Sequence, residues 1–538
     1  MQKTLRQILA NTKLSPQNSD HLDFNISGLA FDSRKVEKDF LFFALPGVHV
    51  DGNSFIQEAI EKGAKAVVYQ GELPQNITPQ QYSSVAFIHT DDSRFAMAPV
   101  SDAFYDYPSK KLVIFGVTGT EGKSSTVFFT WQLLRLCGYK CGFISTVEYS
   151  LGGDALPNPE HQTTPEAPLI NEKLYQMIQN GCTHAVIESS SHGLSVKTNR
   201  LGSILFDAAS FMNVTHEHLE FHGSHEKYKD DKANLFRNLP AHSHRKENGT
   251  VTPVGAVNID DPAANYFAEK AMPVNVVGFS INPNISTKNL PQSPNVNRVL
   301  CAKQIEGDET GFNFVIEDCQ LAANDGWHIA QSLGCRMNTP GDFNAYNAMA
   351  ALIMVESLCS RSLKDLAAFL PQIQPVRGRM SKIDAGQPFE VLVDYAHTPS
   401  SFNTIFPPLR DRVKGKIISL FGSGGERDTV KRPQQGEIAA KYSDIVILAD
   451  EDPRGEEPME LLKDIAAGCK NLIRGQSLYL ICDRPQAIRK AFSLAKAGDI
   501  VLLLGKGHEN SIIYKDFTMP YDEIAEAKKA LAEMGFSR

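Results

Sequence analysis

Lys111-Leu112-Val113-Ile114-Phe115-Gly116-Val117-Thr118-Gly119-Thr120-Glu121-Gly122-Lys123-Ser124 is the stretch on which the fold turns. Residues 111–117 form an apolar run of strand length, glycines follow at 119 and 122, and residues 124–136 carry a helical pattern. Strand, glycine-rich turn and helix in that order make a P-loop, here of the shorter kind. Glycines let backbone N–H groups face phosphate oxygens, and the next helix offers its positive N-terminal end. Lys123 adds a point charge and Ser124 a hydroxyl for magnesium. Gly119, Thr120, Glu121, Gly122, Lys123, Ser124 and Ser125 are therefore the expected contacts of ATP and Mg2+. Glu121 sets a negative charge in a loop that must accept phosphate, so its side chain has to point away or meet a cation. A P-loop alone leaves kinases, GTPases and ligases open.

Similar alternation of strand-like and helical patterns extends on both sides, which predicts α/β layers with mostly parallel sheets. Upstream, 40–45 and 64–69 read as strands with a helix over 54–62. Downstream, 185–187 and 206–211 are strands and 344–359 is a helix. Beyond a boundary near Pro375, strands at 390–394, 416–421, 445–449 and 501–504 alternate with helices such as 458–469. Length agrees: 538 residues exceed a single core, and three domains are expected at 1–110, 111–375 and 376–538. Residues 241–335 are less regular, with Asn- and Pro-rich pieces from 282 to 297.

Bulk properties narrow the function. A hydrophobic fraction of 42% and a charged fraction of 22% are those of a globular protein. A net charge of −8 argues against general affinity for nucleic acid. The N-terminus has no apolar run of signal-peptide type, and no stretch approaches the roughly 20 apolar residues needed to cross a bilayer. A soluble, cytoplasmic protein with no membrane insertion is expected, working as a monomer. Its 9 cysteines are scattered without a Cys-x-x-Cys pair and read as reduced, mostly buried thiols.

Further motifs carry a resemblance. They are Asp32-Ser33-Arg34, Pro46-Gly47 and Asp51-Gly52 in the first segment, with Glu188-Ser189-Ser190-Ser191-His192-Gly193 and Asn213-Val214-Thr215-His216-Glu217-His218 in the second. The third holds Arg377-Gly378-Arg379, Asp394-Tyr395-Ala396-His397-Thr398-Pro399, Gly424-Gly425-Glu426-Arg427, Lys431-Arg432-Pro433 and Gly505-Lys506-Gly507-His508-Glu509. With the Thr-rich P-loop these resemble the Mur ligases over nearly the whole chain. Within that family the resemblance is to members that add a diamino acid to UDP-MurNAc-L-Ala-D-Glu in bacterial peptidoglycan precursor synthesis. It implies an N-terminal UDP-binding α/β domain, a central P-loop ATPase with a mostly parallel sheet, and a C-terminal Rossmann-like domain. The implied enzyme is an acid–amino-acid ligase that forms an acyl phosphate and releases ADP and phosphate.

Both steps of such a reaction accumulate negative charge, which magnesium and fixed cations offset. Glu188 ends an apolar strand and faces the P-loop if the sheet is parallel, so it is the expected magnesium anchor; the alternative is a surface carboxylate. The resemblance adds His218 and Lys232, the latter as a carbamate (N6-carboxylysine), although residues alone read Lys232 as a solvated helix lysine. A zinc site at His216, His218, His222 and His225 is the weaker reading of that tract. Adenine contacts are implied for Asn344 and Asn347, with capping or packing as the rival role. Arg379, Asp394 and His397 match residues that reach or position the ATP phosphates, which makes catalysis depend on closure. The carrier is expected to touch Ser33, Thr163, Thr164, Ser190 and Arg200.

Glu451-Asp452-Pro453-Arg454 stands where the family reads the incoming amino acid. Arg454 suits the second carboxylate of meso-diaminopimelate, whereas Glu451 and Asp452 add negative charge that suits the ammonium of lysine or ornithine. Arg427, Gly505 and Glu509 are expected to grip the carboxylate and amine common to all three. Rival functions are a folylpolyglutamate synthetase-like ligase, which would lack the leading Asp32-Ser33-Arg34 segment, and a P-loop regulatory NTPase, which would not need Lys232, His218 and the 505–509 loop together.

Overall fold

The computed structural model describes every residue except 18–21, 48–49, 161, 216–218, 248, 291–292, 309, 323–325 and 538. The chain divides into two compact units. The first holds Met1–Gln304, Val315–Cys335 and Ala345–Leu370, and the second Ile305–Phe314, Arg336–Asn344 and Pro371–Arg538.

The first unit opens with a four-stranded parallel sheet in the order Gly28–Ala30, Phe40–Phe43, Ala66–Tyr69, Ala86–His89. Its strands are short apolar runs because both faces are covered, by one cluster around Leu41, Phe43 and Met97 and another around Phe42, Ile56 and Phe87. The helix expected over 54–62 starts as a 3-10 turn at Gly52–Phe55 and becomes α-helical at Ile56–Glu61. Helix Ser93–Phe104 packs against Ala167–Gln179, joining this sheet to the next layer.

An 11-stranded sheet follows, with Val113–Thr118 between His184–Glu188 and Ala208–Phe211, parallel to both. Glu188 pairs in register with Val117, so the Glu188 carboxylate and the turn after Thr118 leave the sheet at the same edge. Helix His225–Asn238 lies so close to the central strand that a Cβ on Gly116 would stand 2.5 Å from Leu235 Cδ1. Residues 241–335, which sequence patterning leaves unassigned, are largely regular: Val254–Asn258 and Val276–Ser280 continue the parallel part. The sheet is completed by Val296–Gly307, Phe312–Ala322 and Gly326–Met337.

The second unit is built on a six-stranded sheet in the order Ser381–Lys382, Glu390–Asp394, Ile500–Leu504, Ile417–Phe421, Ile445–Leu448, Leu478–Leu480. All neighbours are parallel except the first pair. Apolar clusters around Phe402, Phe406 and Leu462 and around Ile488, Phe492 and Leu531 cover its faces. The loops at 395–397, 422–427, 449–454 and 505–509 all follow the carboxyl ends of parallel strands, the edge where open α/β sheets bind ligands.

Candidate active site

In the first unit the P-loop forms as its residues require. Gly119 (φ 152°) and Gly122 (φ 82°) take conformations closed to most side chains, and a Cβ on Gly122 would sit 2.8 Å from Asn347 Oδ1. Helix Lys123–Leu136 begins at Gly122 with no side-chain cap, leaving its first amides for a ligand. Lys123 Nζ donates to the Thr120 carbonyl at 2.7 Å.

Asn213, part of a quoted motif but given no role from sequence, braces this loop. Its Oδ1 accepts from the amides of Thr120 (3.1 Å) and Glu121 (2.8 Å). The signal was its position just past the Ala208–Phe211 strand, beside the P-loop strand.

Glu188 is buried, and its carboxylate accepts from Ser124 Oγ (3.1 Å), Ser145 Oγ (2.6 Å), Thr146 N (2.9 Å) and Thr146 Oγ1 (3.0 Å). The surface-carboxylate alternative is thereby excluded. Lys232 is a correction to the residue-based reading. It is only 1% exposed, because Tyr228 and Lys232 lie one turn apart on the face of helix His225–Asn238 that meets the P-loop. Lys232 Nζ donates to the Gly119 carbonyl at 2.7 Å and stands 4.4 Å from the Tyr228 ring centre, while Tyr228 Oη lies 3.1 Å from Thr120 Oγ1.

These groups open on a cleft of 280 Å³ lined by Lys123, Thr163, Thr164, Ser190, Arg200 and Lys232, among others. The Thr164 hydroxyl donates to the Glu188 carbonyl (2.9 Å) and accepts from Ser190 N (3.0 Å). Thr163 Oγ1 lies 3.0 Å from Thr146 Oγ1, whose own proton goes to Glu188, and Ser190 Oγ caps the short helix Ser191–Leu194 by accepting from Gly193 N. Arg200 donates to the Thr164 carbonyl (2.8 Å) and pairs with Glu166 (2.9 Å).

Other expected residues stand apart. Ser33 is in the first sheet's layer, its hydroxyl donating to Glu58 Oε2 at 2.9 Å. Asn347 Oδ1 accepts from Thr126 Oγ1 (3.1 Å), whereas Asn344 Nδ2 turns back to the Pro340 carbonyl (2.8 Å). His218 and His216 lie outside the described residues. His222 ring nitrogens meet Asp231 Oδ2 (2.7 Å) and Ser191 Oγ (3.0 Å). The only group of metal-ligating type among the described residues is Asp207, His242 and His244. It is knit by Lys246, whose Nζ contacts Asp207 Oδ2 at 2.7 Å and the Ser109 carbonyl at 2.8 Å.

In the second unit Asp394 is buried, and each oxygen accepts a backbone amide at 2.7 Å, from Met380 and from Ala396. Burial pushes its carboxyl up while Arg379 opposes that shift. The Arg379 guanidinium stands 4.7 Å from the Tyr395 ring centre, and His397 Nδ1 donates to the Tyr395 carbonyl at 2.9 Å. Tyr395 Oη donates to Glu509 Oε1 (3.2 Å). Lys506, fully buried, clamps Asp452 Oδ1 (2.9 Å) and Glu509 Oε2 (2.5 Å). Glu451 is 8% exposed, and its Oε2 has no hydrogen-bond partner. Burial pushes the carboxyls of Glu451 and Glu509 up, against the pull of Lys431 and Lys506 on the first and of Lys506 on the second. Gly505 (φ 98°) leaves room for this carboxylate, since a Cβ there would lie 2.6 Å from Glu451 Oε2. Arg454 holds φ 53° and hydrogen-bonds Ile513 through its amide; its buried Nε has no partner. Pro453 backs onto Gly425, and Arg427 is exposed.

One unit thus presents a phosphate loop beside a cation-lined cleft, and the other a group of acidic side chains, with Asp452 and Glu509 on Lys506 and Glu451 against Gly505. Three family models match the chain: "Mur ligase family, catalytic domain" over residues 25–105, "Mur ligase middle domain" over 117–355, and "Mur ligase, glutamate ligase domain" over 378–507. The UDP-N-acetylmuramyl-tripeptide synthetase of Treponema denticola is 51% identical over 521 residues, covering 94% of each chain. The UDP-N-acetylmuramoyl-L-alanyl-D-glutamate--2,6-diaminopimelate ligase of Geobacillus kaustophilus is 35% identical over 514 residues, covering 95% of this chain and 96% of its own. A solved structure of a ligase of that second name is 27% identical with a TM-score of 0.63, covering 99% of this chain and 100% of the other. The α/β sheets, the P-loop and the extent of these matches agree, and the chain belongs to the Mur ligase family.

Proposed function

We propose that this enzyme uses ATP to join a diamino acid to the D-Glu carboxylate of UDP-MurNAc-L-Ala-D-Glu, through an acyl phosphate, in cytoplasmic peptidoglycan precursor synthesis. The observation that carries the reading is the shared cleft: Lys123 of the P-loop lines the same 280 Å³ space as Arg200, Thr163 and Ser190. A γ-phosphate on the loop and a carboxylate beside Arg200 would meet there, which is what acyl phosphate formation requires. Lys123 holds phosphate charge, and Arg200 orients the acid by a charge-assisted hydrogen bond. In this reading residues 1–110 take the UDP end at Ser33, 111–375 the nucleotide, with Asn344 and Asn347 at the adenine, and 376–538 the amino acid. Arg379, Asp394 and His397 order the loops of that last part. The enzyme works as a monomer.

Ser124 and Glu188 present hard oxygens 3.1 Å apart, a donor pair that suits magnesium. They would hold that ion, assisted by His218 and by Lys232 as its carbamate, and the ion would offset phosphate charge. In the amino-acid pocket Asp452 and Glu509 share Lys506, so Glu451 is the carboxylate left for a substrate ammonium. Arg454 is the group suited to a second carboxylate. Phosphate release should require the carrier dipeptide and an amino acid drawn from lysine, ornithine and meso-diaminopimelate. Heavy oxygen placed in the acceptor carboxylate should appear in the released phosphate. Equal ATP hydrolysis without either substrate, or no label in the phosphate, would end the proposal.

A further inference from the structure

Glu166 stands between two arginines. Its Oε1 accepts from Arg200 Nη2 at 2.9 Å and from Arg94 Nη1 at 3.1 Å. Arg94 lies in the first turn of helix Ser93–Phe104, and Glu166 is the residue that starts helix Ala167–Gln179, the two helices that pack together. A second link crosses the same seam, Asn199 Nδ2 to the Phe95 carbonyl at 2.9 Å. The Glu166 and Arg200 side chains are 9% and 13% exposed, so this is not a solvent-screened surface pair.

The charge count has a consequence for the cleft. Were Glu166 paired with Arg200 alone, the carboxylate would neutralise the guanidinium that faces the substrate. With Arg94 sharing the same oxygen, the three groups keep one net positive charge, and Arg200 is held in place without being cancelled.

We propose that Arg94 and Glu166 are positioning residues for the anionic carrier: Glu166 fixes the Arg200 guanidinium at the cleft, and Arg94 keeps that guanidinium attractive to a carboxylate. The proposal rests on Arg200 meeting the carrier, as in the function proposed above. It makes the segment that precedes the P-loop layer a contributor to the acid-binding end of the cleft as well as to the UDP end.

Steady-state kinetics of the full-length enzyme test this with each substrate varied in turn. Arg94→Gln should raise the KM for UDP-MurNAc-L-Ala-D-Glu about tenfold, the size of one charge-assisted contact, because Glu166 then neutralises Arg200. The KM for ATP and kcat should stay within about twofold, because binding shared by ground and transition states is what is lost. Arg94→Lys should restore most of the carrier KM. Arg94→Gln/Glu166→Gln should bind the carrier better than Arg94→Gln alone, because the neutralising carboxylate is gone. If Arg200→Ala raises the carrier KM while Arg94→Gln does not, the proposal fails and the cleft assignment stands. If Arg200→Ala leaves the carrier KM unchanged, both fall. Equal rises for all substrates with a lowered Tm in Arg94→Gln would show a merely structural pair and overturn the inference.

Discussion

Asn213→Ala isolates how much of nucleotide binding comes from the preset shape of the P-loop. The Asn213 side chain braces the loop, accepting from Thr120 N at 3.1 Å and Glu121 N at 2.8 Å, with a long third bond from its Nδ2 to the Glu121 carbonyl at 3.4 Å that adds little. Its own backbone is held independently, since Thr120 N also reaches the Asn213 carbonyl and Asn258 Nδ2 donates to the Met212 carbonyl. The side chain can therefore be cut without moving the strand that precedes it. Two neutral hydrogen bonds at about 1 kcal/mol each sum to about 2 kcal/mol of bias toward the phosphate-ready loop. Losing that bias lowers the competent population and raises the apparent KM for ATP roughly 30-fold. The KM values for carrier and amino acid should change less than about twofold, because the nucleotide loop alone is affected. A coupled assay of ADP release with each substrate varied in turn measures all three. A KM for ATP within about twofold of the parent would refute the idea that Asn213 presets the loop.

Removing the loop charge by Lys123→Ala should cut kcat about 10²–10³-fold, read by phosphate release, since no neighbouring group replaces that cation on the phosphates. Lys506→Met leaves Asp452 and Glu509 without their buried cation, and should destabilise the second unit by about 3–5 kcal/mol in denaturant titrations. Asp102, 9% exposed with one oxygen unpartnered, has its carboxyl pushed by burial from 3.8 up to about 7. The folded state then binds this proton more tightly than the unfolded chain, so stability is lost as pH rises between about 4 and 7. Asp102→Asn removes the dependence, and should be more stable than the parent at pH 8 by up to about 4 kcal/mol, with no gain near pH 4.

Several features were legible in sequence because they depend on neighbours along the chain. The P-loop is one, since its strand, glycine φ angles and helix start are local. The buried parallel strands are another: runs such as 185–187 and 501–504 are apolar throughout because helices cover both faces of the sheet. The strands after Val296 were missed although a period of two is present, with Phe312, Phe314 and Ile316 all buried. Gly326–Met337 likewise has apolar residues two apart, at Trp327, Ile329, Leu333, Cys335 and Met337, although much of it is exposed at the edge of the sheet.

By itself the sequence determined the α/β class, the phosphate loop and the family, because those rest on short-range geometry and on motifs read in order. Only tertiary structure decided which charges meet. Helix packing against Gly116 buried Lys232 beside the Gly119 carbonyl. Parallel register brought Glu188 to Ser124, and helix Ser93–Phe104 and the turn that holds Arg200 meet at the start of helix Ala167–Gln179, which put Arg94 and Arg200 on one carboxylate. Coulomb and hydrogen-bond energies act over a few ångströms of space, whatever the distance along the chain, so partners 64 or 72 residues apart carry no local signature.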